Sequence, residues 1–288
     1  MKKLGIIVDS FCGLSQAEVE KHNFGFLPLQ FSINDKQYLD NGHQVSKKEL
    51  VDLIANNKDI HTSLPSIENI ENLLEEMANK YENVLVFLTS SSLSSTFQTV
   101  SIIAKKYNDK FIMIDNHFFA DQVIELGNFL IKKRDQGHTL EKIIEIAKYV
   151  SDNSINYLVI KDLTNLIRGG RIKGLKKYIL STFGLIVILK VNQNGISFSG
   201  VKKTIKGSFK KVSEKLINFI KGQENIENYN FKFMNSNNKE MALVAKNIVA
   251  QYNKTIDENC QASATIMIHT GIECSSLGIW PDLEKLKI

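Results

Sequence analysis

The chain has 288 residues, 43% of them hydrophobic and 23% charged, with a formal net charge of +5. That balance suits a globular protein with a full core and excludes a disordered chain. Three widely spaced cysteines and no long apolar stretch exclude a disulfide scaffold and predict no membrane span.

Leu4 to Val8 reads as a first buried strand. The basic start Met1-Lys2-Lys3 precedes only four aliphatic residues before Asp9, too short a run for a signal peptide, which predicts a cytoplasmic protein. Cys12 reads as a structural thiol. Phe24 to Ile33 is extended, with Pro28 marking an edge or irregular strand. Ser46-Lys47-Lys48-Glu49 forms a capping box ahead of Leu50, Val51, Leu53 and Ile54. Ser66 caps a helix with the stripe Ile67, Ile70, Leu73, Leu74 and Met77.

Val84 to Leu88 is a continuous apolar run, as in a strand buried on both faces. A helical stripe follows at Phe97, Val100, Ile103, Ala104 and Tyr107, then a strand from Phe111 to Ile114 ending in Asp115. Phe119 to Arg134 and Thr139 to Val150 read as two helices split by Gly137. This βαβα order predicts a parallel sheet with helices on both faces, a three-layer α/β unit over residues 1–155.

The rhythm changes near residue 155. Ile155 to Ile160 reads as a strand, Arg168-Gly169-Gly170-Arg171 as a loop and Ile172 to Phe183 as a helix. Asn192-Gln193-Asn194-Gly195 joins Leu185–Val191 to Ile196–Ser199 as a hairpin. A helix at Gly207 to Lys221, a strand at Tyr229 to Met234, a helix at Lys239 to Tyr252 and a strand at Ala264 to Ile268 complete the chain. Mixed hairpins and crossovers predict a second α/β unit, residues 156–288, with a mixed sheet.

Lys202, Lys203, Lys206, Lys210 and Lys211 read as a solvated helix face and its approach loop, or as contacts for phosphates. Aromatics are not interleaved with them as a single-strand binding surface would need, with Phe209 alone in the run, so nucleic acid is not an expected partner. Six histidines form no HxxxH or HExxH pair, so no metal is expected.

The chemistry concentrates after Leu88. Thr89-Ser90-Ser91-Ser92-Leu93-Ser94-Ser95-Thr96 holds seven hydroxyl residues in eight positions, at a strand's carboxyl end and before a helix N-terminus. Such a place favours an anion, yet one of these hydroxyls suffices for simple N-capping. Both readings stand on the residues alone. His61-Thr62-Ser63-Leu64-Pro65-Ser66 is a second hydroxyl group, by itself an ordinary helix entry. Arg168-Gly169-Gly170-Arg171 offers guanidinium groups beside glycines, suited to a carboxylate or phosphate. His269-Thr270-Gly271 lies at the carboxyl end of the last expected strand.

In combination these pieces carry a resemblance. Asp9-Ser10, Pro28-Leu29, Tyr38-Leu39-Asp40, Thr62-Ser63-x-Pro65-Ser66, Ser90-Ser91-x-Leu93-Ser94-x-Thr96-Phe97-Gln98, Ile114-Asp115, Gly169-Gly170-Arg171-Ile172 and His269-x-Gly271 occur in order. The chain resembles the DegV family of bacterial fatty acid-binding proteins over nearly its whole length. The resemblance implies a two-domain α/β fold holding a long-chain fatty acid in a buried tunnel. It implies that Thr62 and Ser94 bind the carboxylate, with Arg171 and His269 nearby and Lys203 also counted among the ligand-binding residues. Some members present the acid to a fatty acid kinase and do not perform the phosphorylation, so the resemblance implies a non-enzymatic lipid transport role with that kinase as partner. Departures are Ser95 for a usual glycine, Val187-Ile188 for Lys-Pro, Lys203 for an arginine, Asn116 to Gln122 for a glycine-rich helix start, and His269-Thr270-Gly271-Ile272-Glu273 for a shorter ending.

The physics is compatible with a carrier that has no cofactor. Removing a tail of about 15 carbons from water is worth on the order of 12 kcal/mol gross. Burying the carboxylate opposes this by several kcal/mol, so the head-group site must supply donors. No GxSxG elbow and no Walker loop is present. The competing readings are a lipid hydrolase or acyltransferase with Ser94 as nucleophile and His269 as base, and an anion-binding regulatory domain using the lysines from Lys202 to Lys211.

Overall fold

The computed structural model describes residues 1–57, 59–170 and 184–286. Arg171 and the helix expected from Ile172 to Phe183 lie outside the described residues.

The first sheet has the order β2-β1-β6-β7, with β1 at Lys2–Asp9, β2 at Gly25–Leu27, β6 at Tyr81–Phe87 and β7 at Phe111–Met113. All its pairings are parallel. The continuous aliphatic runs divide by the two-residue period of a strand. Ile6, Val8, Leu85 and Phe87 face α5 (Gln122–Asp135) and α6 (Leu140–Asp152). Ile7, Val84, Val86 and Leu88 face α3 (Ile67–Lys80) and α4 (Thr96–Ala104). The chain leaves β1 toward one edge and β6 toward the other, so the carboxyl ends of these two strands form a topological switch point, the usual place for a ligand in an open α/β sheet.

A second sheet has the order β10-β9-β8-β12-β11, from β8 (Ile155–Ile160), β9 (Ile186–Asn192), β10 (Gly195–Lys202), β11 (Tyr229–Asn235) and β12 (Cys274–Pro281). One face packs on α8 (Ile205–Phe219) and α9 (Lys239–Ala250) through Val159, Ile188, Phe209, Met241 and Leu277. The other face, with Leu158, Val187 and Leu189, packs on a small antiparallel sheet of order β4-β3-β5. That sheet comprises β3 (Gln30–Ile33), β4 (Lys36–Leu39) and β5 (Ile60–Ser63). One core therefore joins Phe31, Ile33 and Ile60 to residues more than a hundred positions away.

The α/β class and the parallel first sheet agree with the sequence. Three expectations change. The second sheet, expected to be mixed, is antiparallel at each of its four strand pairings. Ala264 to Ile268, expected as a strand, is helical: α10 spans Ala264–Thr270, capped by Ser263. Its β-branched residues suggest a strand, but nearly every residue is buried and packing overrides propensity. The missing strand is instead β12, whose serines and Gly278 conceal a fully buried segment. Finally, Arg168 and Gly169 belong to a short helix, α7 (Thr164–Gly169), ended by Gly170 in the left-handed conformation at φ 70°.

Candidate functional site

Sequence and packing converge on a cavity of about 230 Å³ at the switch point. Phe11, Leu29, Phe119, Leu158, Leu166 and Ile266 are among its apolar walls. Thr62, Ser94 and His269 line the same space, although they come from three separate segments.

Thr62 sits on β5, paired with Phe31 of β3. Its hydroxyl bonds the Nε2 of His269 at 2.9 Å. His269 occupies the last turn of α10, not a strand end, and α10 packs on α7. Gly169 makes that approach possible: a Cβ there would lie 2.6 Å from the His269 Nδ1. The Gly-Gly motif thus serves the histidine's placement through Gly169 and ends α7 through Gly170.

Ser94 lies in the turn after β6. Its Oγ accepts from the amide of Thr96 at 3.2 Å and shares a 2.8 Å hydrogen bond with the Thr96 hydroxyl. Ser94 therefore both organises the start of α4 and lines the cavity. Ser95, at the N-cap position, makes no side-chain cap bond. The turn is anchored by Asp115, which accepts from the Ser91 amide at 3.1 Å and from its hydroxyl. Gly195, at the β9–β10 hairpin, brings that hairpin against Ser92.

Lys203 is exposed in the bend between β10 and α8 and is not among the cavity-lining residues. Arg171 follows Gly170 in sequence and is not described. Among the described residues, the Ser94 hydroxyl bonds Thr96 and not His269. Among the described residues no cluster of His, Cys, Asp and Glu is placed to hold a metal, and no helix is long and apolar enough to cross a membrane.

Two buried carboxylates brace this cavity. Asp9 accepts from the amides of Phe11 at 3.0 Å and Thr89 at 2.7 Å. Asp40 accepts from the amides of Ala264 at 3.1 Å and Thr265 at 2.9 Å, and so holds the N-terminus of α10. Ser10 ties the two together, donating to the Asp40 carbonyl and accepting from the Leu29 amide. The Asp9-Ser10 and Asp40 motifs are thus supports, a role that sequence reasoning missed. A carboxylate directly after a buried strand was the available signal.

Burial pushes the Asp9 carboxyl up to about 6 from an ordinary 3.8, and the charge of Asp40 adds to the rise, against the opposing amides of Thr89 and Phe11. Burial raises Asp40 as well. A raised carboxyl binds its proton more tightly in the folded state, so its contribution to stability is present below the unfolded value and lost as pH rises through the folded one. From the shift of Asp9, stability is expected to fall by about 3 kcal/mol between pH ~4 and ~6 and to level off above. Urea unfolding of wild type against Asp9→Asn across that window isolates the effect. Parallel pH profiles for the two proteins would contradict it.

A family model described as "Uncharacterised protein, DegV family" matches residues 3–282. The chain belongs to the DegV family. A DegV domain-containing protein of Mycoplasmopsis pulmonis is 25% identical over 281 residues, 96% of this chain and 94% of its own. A fatty acid-binding DegV family protein from Thermus thermophilus superposes with a TM-score of 0.86 at 17% identity, over 97% of this chain and 100% of that one. A stearic acid-binding protein from Eubacterium ventriosum gives 0.84 at 19% identity, over 98% and 100%. DegV of Bacillus subtilis, a fatty acid binding protein, gives 0.82 at 20% identity, over 98% and 100%. The match to DegV structures thus covers nearly the whole chain.

Proposed function

We propose that this DegV chain binds a long-chain fatty acid in the cavity at the switch point, with the carboxylate on the hydroxyls of Thr62 and Ser94. The observation that carries this reading is the gathering of Thr62, Ser94 and His269 onto one cavity that also has a set of apolar walls. The fatty acid binding described for the Thermus and Eubacterium structures supports it. If His269 donates from Nε2 to Thr62, the Thr62 proton is free to point at the acid. The walls then supply affinity, and the hydroxyls offset the desolvation of the head group. Arg171 is assigned the balancing positive charge.

Such a protein carries its ligand without transforming it, and a cytoplasmic fatty acid kinase subunit is the partner we assign to it. Lys203, exposed beyond the cavity, belongs in this reading to the partner-facing surface. Denaturing mass spectrometry of lipid extracted from the purified chain is expected to find about one fatty acid per protein. A lipid-free chain that also fails to take up added stearate would overturn the assignment. Ser94 is expected to stay inert toward a fluorophosphonate, because its hydroxyl is not bonded to a base.

The role of Gly169 gives a sharper test. In the α7 helix an alanine would be favoured over glycine by about 1 kcal/mol. Its Cβ nevertheless collides with the His269 ring. Gly169→Ala is therefore expected to preserve or raise stability while weakening stearate binding about tenfold, through loss of the Thr62–His269 contact. Calorimetric titration beside a thermal melt checks both halves. Unaltered affinity would remove His269 from the site.

A further inference from the structure

Asp9 and Asp40 lie behind the cavity wall, and neither is joined to a lysine, arginine or histidine among the described residues. Each touches the wall directly. The amides that Asp9 accepts belong to Phe11 and Thr89, and one that Asp40 accepts belongs to Thr265; all three residues line the cavity. A ligand carrying a negative charge into this space approaches two buried carboxylates from one residue away. Like charges in a poorly hydrated interior disfavour each other's ionised form.

Among the described residues, the titratable groups beside the pair leave it to respond. Cys12, just beyond Asp9, is a buried thiol pushed up to about 12 and stays neutral. Glu18 of the short helix Gln16–Glu20 adds negative charge beside Cys12. Asp115 holds the Ser91 turn. His269 lines the same cavity and is bonded to Thr62.

Resting on the proposed binding of an acyl carboxylate here, we propose that the Asp9–Asp40 pair takes up a proton from solvent when the acid binds. The ionised acid is then carried together with a proton held behind the wall, on an oxygen of Asp9, and no bond to the ligand is made or broken. Asp9 is poised for this. Its carboxyl titrates near 6 already, raised in part by Asp40, so one more negative charge moves it toward neutrality. By linkage, the affinity for the ionised acid rises as pH falls through the window in which the pair gains its proton.

The test is carboxyl-carbon NMR of the full chain, labelled at aspartate and titrated from about pH 4.5 to 8.5 with and without stearate. Stearate is expected to raise the Asp9 midpoint by about one unit, a tenfold coupling. Calorimetry near neutral pH, in two buffers of different ionisation enthalpy, is expected to show proton uptake that falls by more than half in Asp9→Asn. Bound stearate with an unmoved Asp9 midpoint overturns the coupling and leaves the ligand reading intact. No stearate binding at any pH overturns both. The NMR arm uses the unaltered chain, so a variant that fails to fold does not remove the test.

Discussion

Replacing both hydroxyls, Thr62→Ala with Ser94→Ala, is expected to weaken stearate binding by a hundredfold or more while the chain remains folded. A hydrogen bond to a charged group is worth about 1.5–3 kcal/mol, so two lost together amount to roughly 3–6 kcal/mol, or about two to four orders of magnitude. The cost to folding is small by comparison. Thr62 is half-buried on an edge strand, and the Ser94 side chain supports only the Thr96 end of α4. Losing that support costs about 1 kcal/mol. Titration with stearate beside urea unfolding separates the two effects. Affinity retained within about threefold would remove these hydroxyls from the head-group site. Thr62→Ser and Ser94→Thr, which keep a hydroxyl, are expected to retain most of the binding.

The largest effect on stability is expected at Gly278. It lies on β12, between β8 and β11, directly opposite Asn156. A Cβ there would fall 1.9 Å from the Asn156 Oδ1 and 2.8 Å from the Ile155 carbonyl oxygen. Asn156 is 1% exposed and its amide donates to the His117 carbonyl, so it has little room to withdraw. Gly278→Ala must separate two central strands or break that bond, at a cost of about 3 kcal/mol or more. Urea unfolding measures it, and a loss below about 1 kcal/mol would contradict the packing described. Asn156→Gly in the same background is expected to recover part of the loss, because the two residues occupy one space.

Much of the framework is legible in the residues. Leu4–Val8, Val84–Leu88 and Ile155–Ile160 announce buried strands by continuous aliphatic runs, Ser66 caps its helix as read, and Ser46 caps its own through the side chain without the reciprocal Glu49 bond of a capping box. Ser94 lies in a conspicuous hydroxyl loop, Thr62 is singled out only through the family resemblance, and both line one cavity. What escapes depends on partners distant in sequence. The α10 segment reads as a strand until the core surrounds it, and β12 is too rich in small residues to announce itself. Phe119 and Leu158 become cavity walls only when the two larger sheets are brought together. The supports at Asp9 and Asp40 are hydrogen bonds spanning 80 and more than 200 positions, which no local pattern encodes.

The 207-residue separation between Thr62 and His269 has a kinetic consequence. Contacts so far apart carry a large loop-closure cost and form late, after local helices and hairpins. The proposed ligand site is thus expected to be among the last features that the folding chain acquires, since the N-terminal portion alone lacks His269. On the proposed reading, a ligand that engages both sides binds only the fully assembled state, so it acts as a thermodynamic staple across a loop of that length.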